Sequence, residues 1–228
     1  MRHLRWWWLP GFLMLILMAE AAQGADPIMI KADLVKRAKN TGGAGGYLLT
    51  LSGNVQIRHG KTEITCTEAV YDDKTGTLTT AGGVSLTNEG VTVKAKSLNY
   101  IRDTEECVFK GKVTLARDEE KDSEGKVTKD PFSLSCEELS ISAATKSFTA
   151  LGQVELAYKD TRATAGKMIY GDAKQQMQLL EQPILIHEDE KVVAEEILLD
   201  IAADTSTITK AEITFNVDDE PSSGEQVP

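Results

Sequence analysis

Apolar and polar residues alternate with a period of two along most of this chain. Val55/Ile57, Ile64/Cys66, Val93/Ala95, Val113/Leu115 and Val192/Ala194 each place two apolar residues on one face with a polar residue between them. That period marks half-buried β-strands. Turn-prone clusters separate the runs: Asp72-Asp73-Lys74-Thr75-Gly76, Asn88-Glu89-Gly90, Asp103-Thr104, Asp172-Ala173-Lys174 and Glu188-Asp189-Glu190. Turns of this kind join antiparallel neighbours. No long segment shows the 3.6-residue period of a helix. The stretch Lys31 to Lys39 reads either as one short helix or as strand.

The strands repeat. Gly53-Asn54-Val55-Gln56-Ile57, Gly82-Gly83-Val84-Ser85-Leu86, Gly111-Lys112-Val113-Thr114-Leu115 and Gly152-Gln153-Val154-Glu155-Leu156 all read G-x-V-x-[IL], with glycines 29, 29 and 41 residues apart. A column of small residues runs in the same frame, at Cys66, Ala95, Cys136, Ala165 and Ala194. Three positions on stand Ala69, Leu98, Leu139, Met168 and Ile197, and two further on Tyr71, Tyr100, Ile141, Tyr170 and Leu199. Later in the unit Leu78, Cys107, Phe148 and Met177 share a column, as do Thr80, Phe109, Ala150, Leu179 and Ile208. Repeats of this length stack so that each unit buries its apolar face on the next. The odd offset of three after the small column turns the apolar face over unless the strand bulges or bends there. Two loops lengthen the frame, the glycine-rich run Asn40 to Gly46 and the charged insertion Asp118 to Asp130. The glycine fades at Gln182-Pro183, as terminal repeats of an array allow.

The ends have a different character. Arg2 and Arg5 precede a nearly apolar run from Trp6 to Met18, and Ala22-Gln23-Gly24 offers small residues before Ala25. Residues 1–24 therefore read as a secretory signal peptide, with an uncleaved anchor as the alternative. Residues 25–217 form the repetitive domain, and residues 218–228 an acidic, disordered tail.

Composition and charge narrow the function. With 41% hydrophobic and 26% charged residues the chain is globular. Its net charge of -10 argues against a nucleic-acid partner, which needs a basic surface. Cys66, Cys107 and Cys136 lie in apolar columns and read as small buried residues. No CxxC or paired histidine points to a metal, and no nucleophile motif or phosphate-cradling glycine loop appears. The chain reads as a non-enzyme without a cofactor. On composition alone the inward columns read as a filled sandwich core. The small column favours a second reading, in which the sheets stand apart along a continuous apolar slot suited to acyl chains.

Pro27-Ile28-x-Ile30-x-Ala32-Asp33, then Leu51-x-Gly53-Asn54-Val55, then Gly60-x-x-x-Ile64-x-Cys66-x-x-Ala69-Val70 resemble the start of the OstA-like family of lipopolysaccharide-transport proteins. The resemblance runs from residue 26 to residue 215. It implies an all-β fold, a twisted antiparallel β-jellyroll of stacked repeats with an open apolar groove. It further implies a periplasmic carrier that binds lipopolysaccharide with its lipid A acyl chains in that groove. The carrier would bridge the membranes as an end-to-end homo-oligomer, meeting an inner-membrane LptC-like and an outer-membrane LptD-like component by strand addition. The residues expected to contact lipid are Val55, Ile57, Ile64, Val84, Leu86, Val93, Phe109, Val113, Leu115, Leu134, Phe148 and Val154. The cysteines and both lengthened loops depart from the family pattern. A membrane-anchored LptC-like component of the same fold and a structural β-solenoid without lipid remain the alternatives.

Overall fold

A computed structural model describes residues 28–215 apart from 41–45, 89, 122, 126, 130, 159, 172, 189, 201, 202 and 204. The signal peptide, most of the glycine-rich loop and the acidic tail lie outside the described residues, as does part of the 118–130 insertion. None of the described residues is helical. The segment from Lys31 to Lys39 is strand: it ends β1 (Met29–Lys31) and forms β2 (Leu34–Lys39).

Long strands of 11–13 residues carry the repeat: β3 (Tyr47–His59), β4 (Thr62–Asp72), β5 (Thr77–Asn88), then, after β6 (Val91–Ala95) and β7 (Ser97–Ile101), β8 (Glu106–Arg117), and later β11 (Phe132–Ser142). Between the last two, the insertion forms a small hairpin of β9 (Glu120–Lys121) and β10 (Val127–Lys129). The array continues with β12 (Ser147–Tyr158), β13 (Thr161–Gly171), β14 (Gln176–Leu180) and β15 (Ile184–His187). It ends with β16 (Glu190–Val193), β17 (Glu196–Asp200), β18 (Thr205–Thr209) and β19 (Glu212–Phe215). All but the hairpin belong to one hydrogen-bonded network of 17 antiparallel strands.

Every long strand bends in its middle, which folds the network into two facing layers. In one layer the order is β2-β3-β4-β5-β7-β8-β11-β12-β13-β14-β17-β18. In the other it is β1-β3-β4-β5-β6-β8-β11-β12-β13-β15-β16-β19. The result is a twisted antiparallel β-jellyroll. Register shifts fall at Ser52/Val55, Cys66/Glu68, Cys136/Glu138 and Leu151/Val154. The bulges that the odd offset demands are therefore present, and each keeps the apolar face inward through the bend.

The G-x dipeptide makes the bend. Gly53 and Asn54 have φ of 73° and 44°, Gly111 and Lys112 81° and 51°, Gly152 and Gln153 75° and 46°. A side chain lies over the first residue of each pair, Asp33, Lys96 and Glu137 over Gly53, Gly111 and Gly152, and Thr67 over Gly82 in the bend where both residues are glycine; the second of those, Gly83, has open space where a side chain would stand. The second residue accepts the left-handed cost of about 1–2 kcal/mol, and burial of the next valine, Val55, Val113 or Val154, offsets it. The fifth bend exchanges the roles. Glu181 (φ 64°) and Gln182 (φ 61°) take the left-handed positions, and the opposing position becomes Gly166, over which the Glu181 side chain lies. The motif fades in sequence while its geometry persists.

Between the layers the core has two parts. A small cluster holds Leu51, Val55, Ile57, Ala69 and Leu78. A large one runs from Val84 to Leu199.

Candidate functional site

Where the two core clusters meet, a cavity of about 340 Å³ separates the layers. One wall is a cross-strand row on the β1 layer: Ile57, Ile64, Leu86 and Val93 are successive register partners. Ile28 and Ile30 continue that wall at the first edge of the array. The facing wall is a second row, Tyr71, Leu78, Tyr100, Cys107 and Ile141, again partner to partner. Leu98 and Phe109 close the space behind it. Each row spans five strands, roughly 19 Å at ~4.8 Å per strand, and the two rows are staggered, one running from β1 to β6 and the other from β4 to β11.

Exposure grades along this length. Ile28 is 57% and Ile30 38% exposed, whereas Val93, Leu98 and Phe109 are 0–1% exposed. The space therefore opens at the first edge and is covered where Val93, Leu98 and Phe109 lie. Polar groups stand along its margins at the strand ends. His59, Thr62 and Asn88 stand on one rim and Glu105 on the other. Tyr71 accepts a hydrogen bond from Arg102 Nη1 at 3.3 Å, and Arg102 is also paired with Asp103 at 3.2 Å.

Burial pushes the Cys107 thiol up to about 12 and the Tyr100 hydroxyl upward as well. Burial raises Cys66 too, and Cys136 to about 11. Thiols held this high stay protonated at neutral pH and act as apolar wall rather than as nucleophiles. All three are free, and no group of side chains suited to a metal occurs among the described residues.

Of the residues expected to contact lipid, Ile57, Ile64, Leu86, Val93 and Phe109 line the cavity. Leu115 and Leu134 extend the Val93 row into the closed core. Phe148 extends the Ile141 row in the same way. Val55, Val84, Val113 and Val154 lie buried beside the bends. There Val55, Cys66, Val84 and Ala95 are successive partners, so valine alternates with the small column. The slot expected along the small column is thus displaced. Small residues stand where the layers converge and one of each pair must yield space, and the cavity lies further out. Its lining runs from Ile28 to Ala143, among the first repeats. Tyr71 and Tyr100 carried a repeat signal without being singled out. His59, Thr62, Asn88 and Glu105 sit at strand ends and turns, where turn chemistry masks any other role.

Fold and cavity together define a β-jellyroll with an apolar compartment between its layers. A model of the family described as LptA/(LptD N-terminal domain) LPS transport protein matches residues 63–205. The chain belongs to that family. Among solved structures, the crystal structure of LptH, the LptA homologous periplasmic component of the conserved lipopolysaccharide transport device from Pseudomonas aeruginosa, shares 13% identity. That alignment covers 84% of this chain and 96% of LptH with a TM-score of 0.25. No curated protein matches the chain.

Proposed function

We propose that this chain is a periplasmic lipopolysaccharide carrier that bridges inner and outer membranes, holding lipid A acyl chains between its layers. The observation that carries the reading is the apolar cavity between two rows of aliphatic and aromatic side chains, open at the first edge strand. Each methylene transferred from water into such a space contributes about 0.8 kcal/mol. The residues assigned to acyl contact are Ile57, Ile64, Leu86, Val93 and Phe109, joined by the remaining inward positions if the layers part further along. This reading needs no catalysis and no cofactor.

The ends of the array support the bridging part. Both β1 and β2 are exposed along their length and, among the described residues, pair only on one side, with β3. At the other end β18 and β19 likewise have one partner each among the described residues. Unpaired edge N–H and C=O groups template a further strand, from another copy or from LptC-like and LptD-like components.

Photo-crosslinking tests the carrier. With the crosslinker at Ile64 or Leu86, lipopolysaccharide should be captured; at neighbouring Thr65 or Ser85, on the opposite face of the same strands, it should not. Equal labelling at all four positions in folded protein would overturn the reading.

A further inference from the structure

The two ends of the array carry opposite charge. Residues 28–47, which build the first edge, hold Lys31, Lys36, Arg37 and Lys39 against one acid, Asp33. Asp33 is already engaged, accepting a hydrogen bond from Asn54 Nδ2 at 2.9 Å. Residues 184–215, at the last edge, hold eight acids and two lysines. In a chain of net charge -10 the basic first edge is a local exception. The same end is the most apolar part of the surface. Six of the twelve exposed large apolar side chains among the described residues fall in residues 28–47, and Ile28, Met29, Leu34 and Val35 are each about half exposed. Lysines alone would blunt a free edge against other strands, but they do not account for the aliphatic side chains between them. Both faces are involved. Ile30 pairs with Ile57 and Val35 with Leu51, both buried and inward, so Met29, Lys31, Leu34 and Lys36 stand on the outward faces. A strand added in register would satisfy the backbone of this edge and leave those outward side chains in water.

We propose that the first edge docks end-on to the surface of an anionic bilayer. Edge-on contact covers both faces of β1 and β2 at once, which a single added strand does not. The half-exposed aliphatic side chains enter the interface, and the long stems of the lysines and of Arg37 carry their charges to the headgroups. Four clustered cations are the number at which attraction to an anionic leaflet becomes effective. Arg37 lies 3.6 Å over the ring of Tyr47, itself exposed, and tyrosine suits the boundary between headgroups and water. The acidic last edge is repelled by the same surface, so docking has one orientation. It turns the open side of the cavity toward the membrane, because Ile28 and Ile30 belong both to the edge and to the cavity lining. Within an array a second copy covers this edge, and the docking copy is the one whose first edge is free. The proposal depends on that edge and not on what the cavity holds.

The test uses the secreted chain, which has no tryptophan because all three lie at residues 6–8. Vesicles are phosphatidylcholine alone or phosphatidylcholine mixed with phosphatidylglycerol. At an ionic strength of about 0.1 M the protein should sediment with the mixed vesicles and not with the neutral ones. At about 1 M salt, where screening acts within about 3 Å, binding should be lost. Leu34→Trp should shift its emission to the blue on the anionic vesicles, and Ile186→Trp, exposed at the other end, should not. Each cation at an anionic surface strengthens binding about fivefold, so Lys36→Glu with Lys39→Glu should weaken it by at least about 25-fold. Lys191→Glu with Lys210→Glu makes the same change in net charge at the last edge and should alter it less than about twofold, being far beyond the screening length. Thermal melting confirms that each variant folds. No vesicle binding, equal binding to both vesicle types, equal loss in the two charge variants, or an equal emission shift at both tryptophans overturns the proposal. Crosslinking of lipopolysaccharide at Ile64 and Leu86 reports on the carrier reading separately. Capture there without vesicle binding overturns the docking alone, and vesicle binding without capture overturns the carrier alone.

Discussion

Phe148 stacks on Tyr170 with ring centroids 5.7 Å apart and planes 20° from parallel, directly beyond Ile141, the last wall residue of the cavity in that row. The stack marks a change of state within one repeating fold. On its near side the layers enclose space; on its far side Met168, Met177, Leu179 and Leu199 fill the core, all 0–4% exposed. Aromatic stacking adds about 0.5–1.5 kcal/mol to the burial of the two rings, so the pair is a firm boundary in the resting protein.

Removing the stack should be costly in the resting protein. Phe148→Ala deletes a buried ring next to an existing cavity, where neighbours have little to collapse onto. A loss of about 3–5 kcal/mol is expected from urea unfolding. A loss below about 1 kcal/mol would mean that the ring is already loosely held.

The exchange at the fifth bend gives a double-mutant cycle. A Cβ on Gly166 would lie 2.6 Å from Glu181 Cβ, so Gly166→Ala should destabilise by about 1–3 kcal/mol through overpacking. Glu181→Gly alone relieves a left-handed glutamate of φ 64°, a gain of about 1 kcal/mol against the entropic cost of glycine. Combined, the two changes recreate the arrangement of the other bends, so the double variant should recover most of the Gly166→Ala loss. A coupling energy near zero in chemical denaturation would show that the two positions do not share this space.

How much of this was legible depends on the kind of information required. Strands, repeat frame and bends follow from local rules: the period of two, the G-x-V triplets and the odd offset behind Cys66 and Cys136 fix the face of each residue and where it must turn over. Depth is a different quantity. Cys66 and Ala95 are inward and small in either reading, and only the pairing with Val55 and Val84 shows that they pack at the bend. Likewise Cys107 and Phe148 share a column, yet the difference between cavity wall and plug arises from what faces them across the layers. The ambiguous stretch Lys31 to Lys39 became strand because β3 offers it a free edge, a tertiary influence that local propensity does not contain. The apolar position Ile64 was legible as inward, whereas Asn88 was hidden by its turn-forming role.

The first edge should govern end-to-end assembly. Leu34 and Val35 are about half exposed on β2, beside Lys36, Arg37 and Lys39, with Arg37 held 3.6 Å over the Tyr47 ring. Two β2 strands side by side would oppose like charges, which favours joining this edge to the other end of a second copy. Leu34→Lys with Val35→Lys should abolish concentration-dependent growth in sedimentation velocity, while changing monomer stability by about 0.5 kcal/mol or less per site. Unchanged growth would remove β2 from the contact.

The cavity thiol predicts a pH dependence. Cys107 has an ordinary value of 9.0 and is pushed up to about 12 by burial in the fold. Between those values the unfolded chain releases the thiol proton and the folded chain keeps it, so the contribution to stability is complete below pH 9 and declines as pH rises. The slope is about 1.4 kcal/mol per pH unit while only the unfolded form ionises. Lysines and tyrosines also titrate there, so the informative quantity is a difference between proteins. Cys107→Ala removes the group, and the gap between its stability and that of the parent should shift in the variant's favour from pH 8.5 to pH 10.5, by about 1–3 kcal/mol. Parallel stability curves across that range would mean that the thiol meets water in the folded state, and that the cavity is wetter than its lining implies.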